Sequence, residues 1–329
     1  MKKGRSRPNI MVLSDYITTF GLYMLKSHHR RVHKIALDTG FTCPNRDGSK
    51  GRGGCTFCNN ASFSPNGRDA PSIALQLAAG RRAIARRTRA QRYIAYFQAY
   101  TNTYASVSEL DRLYRAALSE PDVIGLAIGT RPDCVPDVVL DLLAGYIEEG
   151  LDVWLELGLQ SAFDDTLTRV NRGHGLAEYR SAVTAARQRG IKVCTHLILG
   201  LPGENAAHYH ATLDTVLDMG VDGLKLHPLH VVKGTQLANQ WRRGEYFPLN
   251  MSEYLRSAAD LIERTPEHIV FHRVTGTASK EILLAPAWCS QKWNVLNGIE
   301  AELRQRKHRQ GQFAADRHSI KVSAYVDDI

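Results

Sequence analysis

Three of the six cysteines lie close together, in the segment DTGFTCPNRDGSKGRGGCTFCNN that starts at Asp38. Cys43, Cys55 and Cys58 are soft thiolate donors, suited to an iron–sulfur cluster or to zinc. The glycines between them, Gly48, Gly51, Gly53 and Gly54, let the backbone turn tightly enough to bring the thiols together. Their number matters, because a structural zinc or an electron-transfer cluster normally takes four protein ligands. With three, one iron of a [4Fe–4S] cluster stays open to a substrate or cofactor. Cys134, Cys194 and Cys289 do not sit in comparable loops, and His28 and His33 are the other candidate ligands for zinc. The spacing favours the cluster and leaves zinc open. Cys134 and Cys194 read as small buried hydrophobes, whereas Cys289, in APAWCSQKW, is a candidate second nucleophile or ligand. Glu156 lies within an apolar run, where a buried carboxylate needs a partner. His174, His196, His227 and His230 read as structural, but His227 and His230 face the expected pocket mouth and are candidate substrate contacts.

These residues need a scaffold, and short apolar runs alternating with helical stretches supply it. Strands are predicted over 32–37, 92–97, 123–128, 153–157, 191–199 and 223–226. Helices are predicted over 72–89, 107–119, 136–149, 164–169 with 177–190, and 206–219. Gly150, Gly190 and Gly220 each follow a helical pattern and precede a strand, the usual place for a C-terminal capping glycine. Such alternation predicts a parallel sheet with right-handed crossovers. Six units fall short of the eight of a complete barrel, so the reading is an α/β, partial (β/α)6 barrel of the TIM type with N- and C-terminal extensions. Cys43, Cys55 and Cys58 then follow the first strand, on the face where barrel active sites form. Residues 1–30 fit no such unit and form an N-terminal extension. Residues 31–235 form the barrel, and 236–329 a C-terminal extension, read as substrate-facing. From Arg304 onward the chain is polar and basic and reads as a partly mobile tail.

The chain has 329 residues, 43% of them hydrophobic, enough for a full-sized core. No run of about 18 apolar residues is present to span a membrane. Residues 1–8 are basic but no apolar h-region follows, so the expected location is the cytoplasm. Six cysteines in such a chain do not read as a disulfide framework.

The cysteine segment resembles a known family. C55-T-F-C58 is similar to the end of the radical S-adenosylmethionine (SAM) motif, in which an aromatic residue precedes the last cysteine. The wide Cys43–Cys55 gap departs from the commonest spacing and resembles the Elp3-like and YhcC/YtqA-like branches. The phrases GFTCPNRDGSKGRGGC, YFQAYTNTY, GTRPDC, LELGLQS, NRGH, HLILGLPGE, KLHPLHVVKGT and RVTGTASKEILLAPAWC look like the latter family, from about residue 15 to about 303. The resemblance implies a [4Fe–4S] cluster on Cys43, Cys55 and Cys58, with reductive cleavage of SAM to a 5′-deoxyadenosyl radical. It implies that Phe57 packs near the adenine and that Gln98, Thr101 and Asn102 stand where relatives carry a glycine-rich motif for the methionine amine. Glu156 and Gln160 become candidates for the ribose and methionine polar groups, Arg172 for the methionine carboxylate, and Ile198 to Leu201 for the adenine pocket. Each has a plainer reading: Phe57 as core, Gln98 and Gln160 as turn residues, Arg172 as a solvated helix charge.

The substrate is less legible. Arg81, Arg82, Arg86, Arg87, Arg89 and Arg92 form one basic cluster, Arg304, Arg306, Lys307, His308 and Arg309 a second, and Arg30 with Arg31 a third. A net charge of +9 and a pI near 9.3 suit a polyanion, although such clusters also serve as solvated faces. Elp3-like relatives act on the wobble uridine of transfer RNA, and a branch of the YhcC/YtqA-like family is associated with a later step on the carboxymethylaminomethyl group of uridine-34. The resemblance therefore points to tRNA as partner and to flavodoxin or ferredoxin as electron donor. Two alternatives stand beside it: radical SAM chemistry on a small molecule or protein, and a non-catalytic zinc-stabilised RNA-binding protein.

Overall fold

In the computed structural model, which describes residues 12–59 and 71–315, all six apolar runs become parallel strands. They are β1 (Val32–Leu37), β2 (Arg92–Phe97), β3 (Val123–Thr130), β4 (Asp152–Gln160), β5 (Lys192–Leu199) and β6 (Gly223–Pro228). The sheet runs β1-β2-β3-β4-β5-β6 and ends on a seventh strand formed by Val270–Arg273, each pair parallel. Between the strands lie α3 (Ile73–Thr88), α4 (Val107–Leu118), α5 (Asp137–Glu148), α6 (Asp164–Arg169) with α7 (Leu176–Gln188), and α8 (Ala206–Asp218). The partial barrel expected from the alternation is present. Gly150, Gly190 and Gly220 all take positive φ after α5, α7 and α8, as their capping role requires.

Side chains alternate across each strand, so every strand is read by two environments. One face, with Ile35, Phe97, Ile128, Leu155, Val193 and Leu224, packs against the helices as the main core. The other face points into the barrel. Its lowest layer is apolar: Val32, Ile94, Ala127, Trp154 and Cys194 close the floor together with Val270.

The described sheet contains a seventh strand that the sequence pattern does not announce. β8 (Val270–Arg273) pairs with β6, matching Lys225 with Arg273. Its four residues, VFHR, are too short and too polar for a periodic signal. The helix before it, α10 (Met251–Arg264), begins at Asn250, whose side chain accepts from Glu253 N at 2.9 Å. Regular alternation was expected to stop near residue 235, but α10 followed by β8 adds one more helix–strand step. β7 (Val231–Val232) and α9 (Gln236–Arg242) fill the interval before α10, and β7 pairs antiparallel with β9 (Leu283–Ala285), which follows β8.

The ends of the described chain are also built in. α1 (Phe20–His28) drives Phe20 and Met24 into the floor beside Trp154, and Thr19 forms a parallel bridge to Phe271. The N-terminal segment therefore plugs the barrel from below. α11 (Lys292–Arg306) packs on α10. Beyond it, Gln310 donates to the carbonyls of Pro266 and Ile269 at 2.7 Å each, so residues 304–315 dock where a partly mobile tail was expected. Residues 1–8 and those after 315 lie outside the described residues. No described helix is long and apolar enough to cross a membrane.

Candidate active site

The loop after β1 carries the three cysteines, and hydrogen bonds hold its shape. Cys43 precedes the single turn α2 (Pro44–Asp47), with Pro44 at its first position, where a missing N–H costs nothing. Cys55 and Cys58 share one turn, Cys58 N donating to Cys55 O at 2.9 Å. Asn45 is 1% exposed and donates through Nδ2 to Asn171 O at 2.6 Å, while Asn171 returns a bond to Gly54 O at 2.8 Å. The loop is thereby tied to the segment after β4.

Arginines complete the arrangement. Arg172 donates from Nη2 to Gly158 O at 2.5 Å, and its Nη1 stands 3.5 Å from Cys55 Sγ. Arg131 makes a two-pronged pair with Asp133, both bonds 2.9 Å, and donates to Arg172 O at 2.8 Å. Arg46 reaches Cys58 O at 2.7 Å. Positive charge beside sulfur favours thiolate, the form that binds metal. Burial alone acts the other way, lifting the Cys58 thiol to about 11, with the charge of Cys55 adding to the rise.

The thiols line a cavity of about 220 Å³ at the carboxyl ends of the strands. Of the residues singled out from sequence, Phe57, Gln98, Thr101, Glu156, Gln160, Arg172 and Ile198 also line it, as do His196, His227 and His230. Arg172 is not a solvated helix charge, for it is 8% exposed. Two others do not reach the cavity. Asn102 is fully buried and spends its amide on Phe97 O and Gly129 O, so it fastens the turn after β2. Leu201 is buried among Val170, Ile198, Leu229 and Tyr246, behind the wall. Cys289 is 1% exposed, its thiol pushed up to about 12 by burial, and it lies off the cavity. Cys194 belongs to the floor, and Cys134 is buried off the cavity.

Below the cavity a layer of ionic groups crosses the barrel. Glu156 is fully buried; its Oε1 accepts from Lys34 Nζ at 2.5 Å, and its other oxygen pairs with Lys225 and lies 3.0 Å from His196 Nε2. Lys225 also donates to the Tyr96 hydroxyl at 2.8 Å. Burial opposes the charge of Glu156, but Lys225 and Lys34 hold its carboxyl well below the usual range. Burial draws the Lys225 ammonium down to about 8 despite Glu156, and brings His196 to about 4 with the charge of Lys225 assisting. The histidine is thus a neutral ligand of the carboxylate. Lys34, Lys225, Tyr96 and Arg273 escape a motif-based reading. A signal exists nonetheless: Lys34 and Lys225 are single cations inside apolar strands, at positions that face inward.

The donor set fits a cluster better than a zinc ion. Tetrahedral zinc with bonds of about 2.3 Å brings its sulfurs to about 3.8 Å from one another. Among the described residues, the trio whose ligand atoms all fall within 4.8 Å is Glu156, Cys194 and His272, not the three cysteines. Within that trio Glu156 is already committed to Lys34 and Lys225, and His272 Nδ1 lies 2.8 Å from Lys34 Nζ. SAM is a polar ligand, and the cavity wall offers polar atoms that await partners. Thr101 Oγ1 and Gln160 Oε1 are buried without a hydrogen bond, and Gln160 holds φ at +83°, an unfavourable backbone state for a side-chain-bearing residue.

The basic clusters sit elsewhere. Arg30 and Arg31 precede β1, and Arg89 and Arg92 stand at the start of β2, so all four mark the amino ends of the strands, opposite the cavity. Arg81 is paired with Glu120 and Asp122, and Arg306 with Asp260, Glu263 and Glu302. The side chains of Arg86 and Arg87 lie outside the described residues. Two of the three clusters are thus in part neutralised, and the residues that flank β1 and β2 lie at the strand ends opposite the cavity.

Comparison with known proteins places this geometry. The family model of the radical SAM superfamily matches residues 43–216, and that of the radical SAM C-terminal domain matches 221–305. Protein YhcC of Escherichia coli (strain K12) is 48% identical over 90% of this chain and 94% of its own length. YtqA of Bacillus subtilis (strain 168) is 40% identical over 88% of this chain and 91% of its own. A shorter match, 33% identical, joins 46% of this chain to 33% of the tRNA uridine(34) acetyltransferase of Dehalococcoides mccartyi, so the chain spans about a third of that relative. The solved structure of the archaeal Methanocaldococcus infernus Elp3 with an N-terminal deletion matches with a TM-score of 0.63, over 85% of this chain and 64% of that one, at 18% identity. That last likeness concerns the fold.

Proposed function

We infer the chemistry from kinship: the chain belongs to the radical SAM superfamily and is an enzyme of that superfamily, which uses a [4Fe–4S] cluster and SAM. When bound, these groups supply a one-electron reductive cleavage and a carbon-centred radical able to take a hydrogen atom from a substrate. In this reading Cys43, Cys55 and Cys58 hold three irons, and Arg172 and Arg46 offset the charge of their sulfurs. Thr101, Gln98, Gln160 and Arg172 meet the polar groups of SAM, and Phe57 with Ile198 covers its apolar face. The Glu156 network and the Trp154 floor seal the chamber from below, so that water does not quench what forms above them.

We further propose that the substrate is the side chain of a wobble uridine in tRNA. The name of the partial relative, a tRNA uridine(34) acetyltransferase, supports this reading. So do two exposed cations near the cysteine loop in the chain or through the backbone, Arg52, three residues before Cys55, and Lys233, whose carbonyl accepts from the cavity residue Asn59. The observation that carries the chemistry is the prebuilt three-thiol loop on one wall of a polar cavity. The test is to reconstitute the protein anaerobically and supply SAM, reduced flavodoxin or ferredoxin, and tRNA from cells lacking the gene. Expected is 5′-deoxyadenosine release that rises with tRNA, together with a mass change in the wobble nucleoside. Release that ignores tRNA, with no nucleoside altered, would exclude tRNA and move the substrate to a small molecule or a protein. A colourless zinc protein that leaves SAM intact would remove the radical reading altogether.

A further inference from the structure

Arg273 is the last residue of β8 and lines the cavity. Its side chain makes no ion pair and no hydrogen bond among the described residues, and its Nε is buried without a partner. The other cavity arginines are occupied: Arg131 by Asp133, Arg172 by Gly158 O, Arg46 by Cys58 O. The residue is half-buried, and its guanidinium edge faces the cavity with no protein acceptor there.

Its neighbours deepen the imbalance. Arg273 is the register partner of Lys225 on β6, and like charges set opposite each other across paired strands repel. One carboxylate, Glu156, already serves both Lys34 and Lys225. The chamber therefore carries more positive than negative charge. His227 and His230, whose rings lie 4.9 Å apart, are held neutral by burial and by the charge of Arg273, so they bring polar groups without adding charge. His230 Nδ1 is also buried and unpartnered. Gly276 packs so close to the His227 ring that a Cβ there would collide with it, which fixes the ring in place.

We propose that Arg273, with Lys225 and His230 beside it, is the receptor for an oxyanion of the substrate, a carboxylate or a phosphate. The planar fork of a guanidinium matches the two oxygens of such a group and holds it in one orientation. The anion cancels the Lys225–Arg273 repulsion, so the substrate itself completes the electrostatics of the chamber. The anchored substrate then extends into the same cavity that the cysteines line. This inference rests on the cavity being the reaction chamber, but it does not require the substrate to be RNA.

The test uses the reconstituted holoenzyme saturated with SAM, so that the sites for SAM are filled. Carbon-labelled acetate and, separately, inorganic phosphate are titrated at constant ionic strength, and binding is read from NMR line broadening. The wild-type protein binds at least one of them; Arg273→Gln weakens that binding at least tenfold, and Arg273→Lys retains part of it. Acetate alone assigns a carboxylate and phosphate alone a phosphate. Without any anion, Arg273→Gln melts at or above the wild-type temperature, because a repulsion is removed, whereas a purely structural arginine would lower it. The proposal is overturned if the wild type binds neither probe. It is equally overturned if Arg273→Gln weakens SAM binding and leaves anion binding intact, since the guanidinium would then serve the cofactor. Should tRNA fail as substrate while anion binding persists, only the RNA reading falls.

Discussion

Glu156→Gln isolates the ionic layer beneath the cavity. The substitution keeps the shape of the side chain and removes the carboxylate that Lys34 and Lys225 share. Breaking a buried pair by deleting one partner costs roughly 3–5 kcal/mol, because the remaining charge is stranded. Each kcal/mol shifts the melting temperature of a protein of this size by about 2 °C. The variant holoenzyme is expected to melt roughly 6–10 °C below wild type at neutral pH. The sign of the pH dependence follows from the direction of the shift. Glu156 titrates well below its ordinary 4.5 in the folded protein, so its contribution is fully present above that value. It is lost as pH falls through the folded value. The gap between wild type and Glu156→Gln should therefore narrow below about 4.5 as Glu156 is protonated, and narrow again on the alkaline side as Lys225, drawn down to about 8, gives up its proton. Adding Lys225→Met to Glu156→Gln should recover much of the loss, since an apolar replacement of the pair strands fewer charges. Differential scanning calorimetry across pH reads all three proteins. A single variant within about 2 °C of wild type at neutral pH would refute the reasoning, as would a gap that does not close in acid.

Two further outcomes follow from the same geometry. Cys43→Ala, Cys55→Ala and Cys58→Ala are each expected to lose bound iron and deoxyadenosine formation, whereas Cys289→Ala, buried away from the cavity, should keep both; iron and product analysis of the four proteins decides it, and loss of iron in Cys289→Ala would restore that cysteine as a ligand. Trp154→Ala opens a void in the apolar floor, where Phe20 meets the indole edge-on with centroids 6.0 Å apart, and should cost about 3–5 kcal/mol in denaturant unfolding.

The division between sequence and structure is physical. What the sequence by itself determined is whatever depends on local order. Strands β1 to β6 were legible because apolar residues recur at the period of a strand between helical stretches ended by Gly150, Gly190 and Gly220. The three cysteines were legible because their ligand types and glycine spacing lie within one loop, and Glu156 because a carboxylate in an apolar run must be paired. Tertiary structure alone decided the rest. β8 is a strand only because β6 presents an edge to it, and α1 is a floor only because the barrel above it is open. Asn102 and Leu201 stand beside cavity residues in sequence but turn away from the cavity, since a turn needed the amide of one and a hydrophobic cluster the side chain of the other. The arginine clusters read in sequence as free positive charge, yet Arg81 and Arg306 lie against their own carboxylates and Arg30, Arg31, Arg89 and Arg92 at the amino ends of the strands. Lys34, Tyr96, Glu156, Lys225 and Arg273 come from five separate strands. Tyr96 and Arg273 are unremarkable where they stand in the chain. Closing the sheet brings all five into one dry space, and their meaning is set by which of them is left there without a partner.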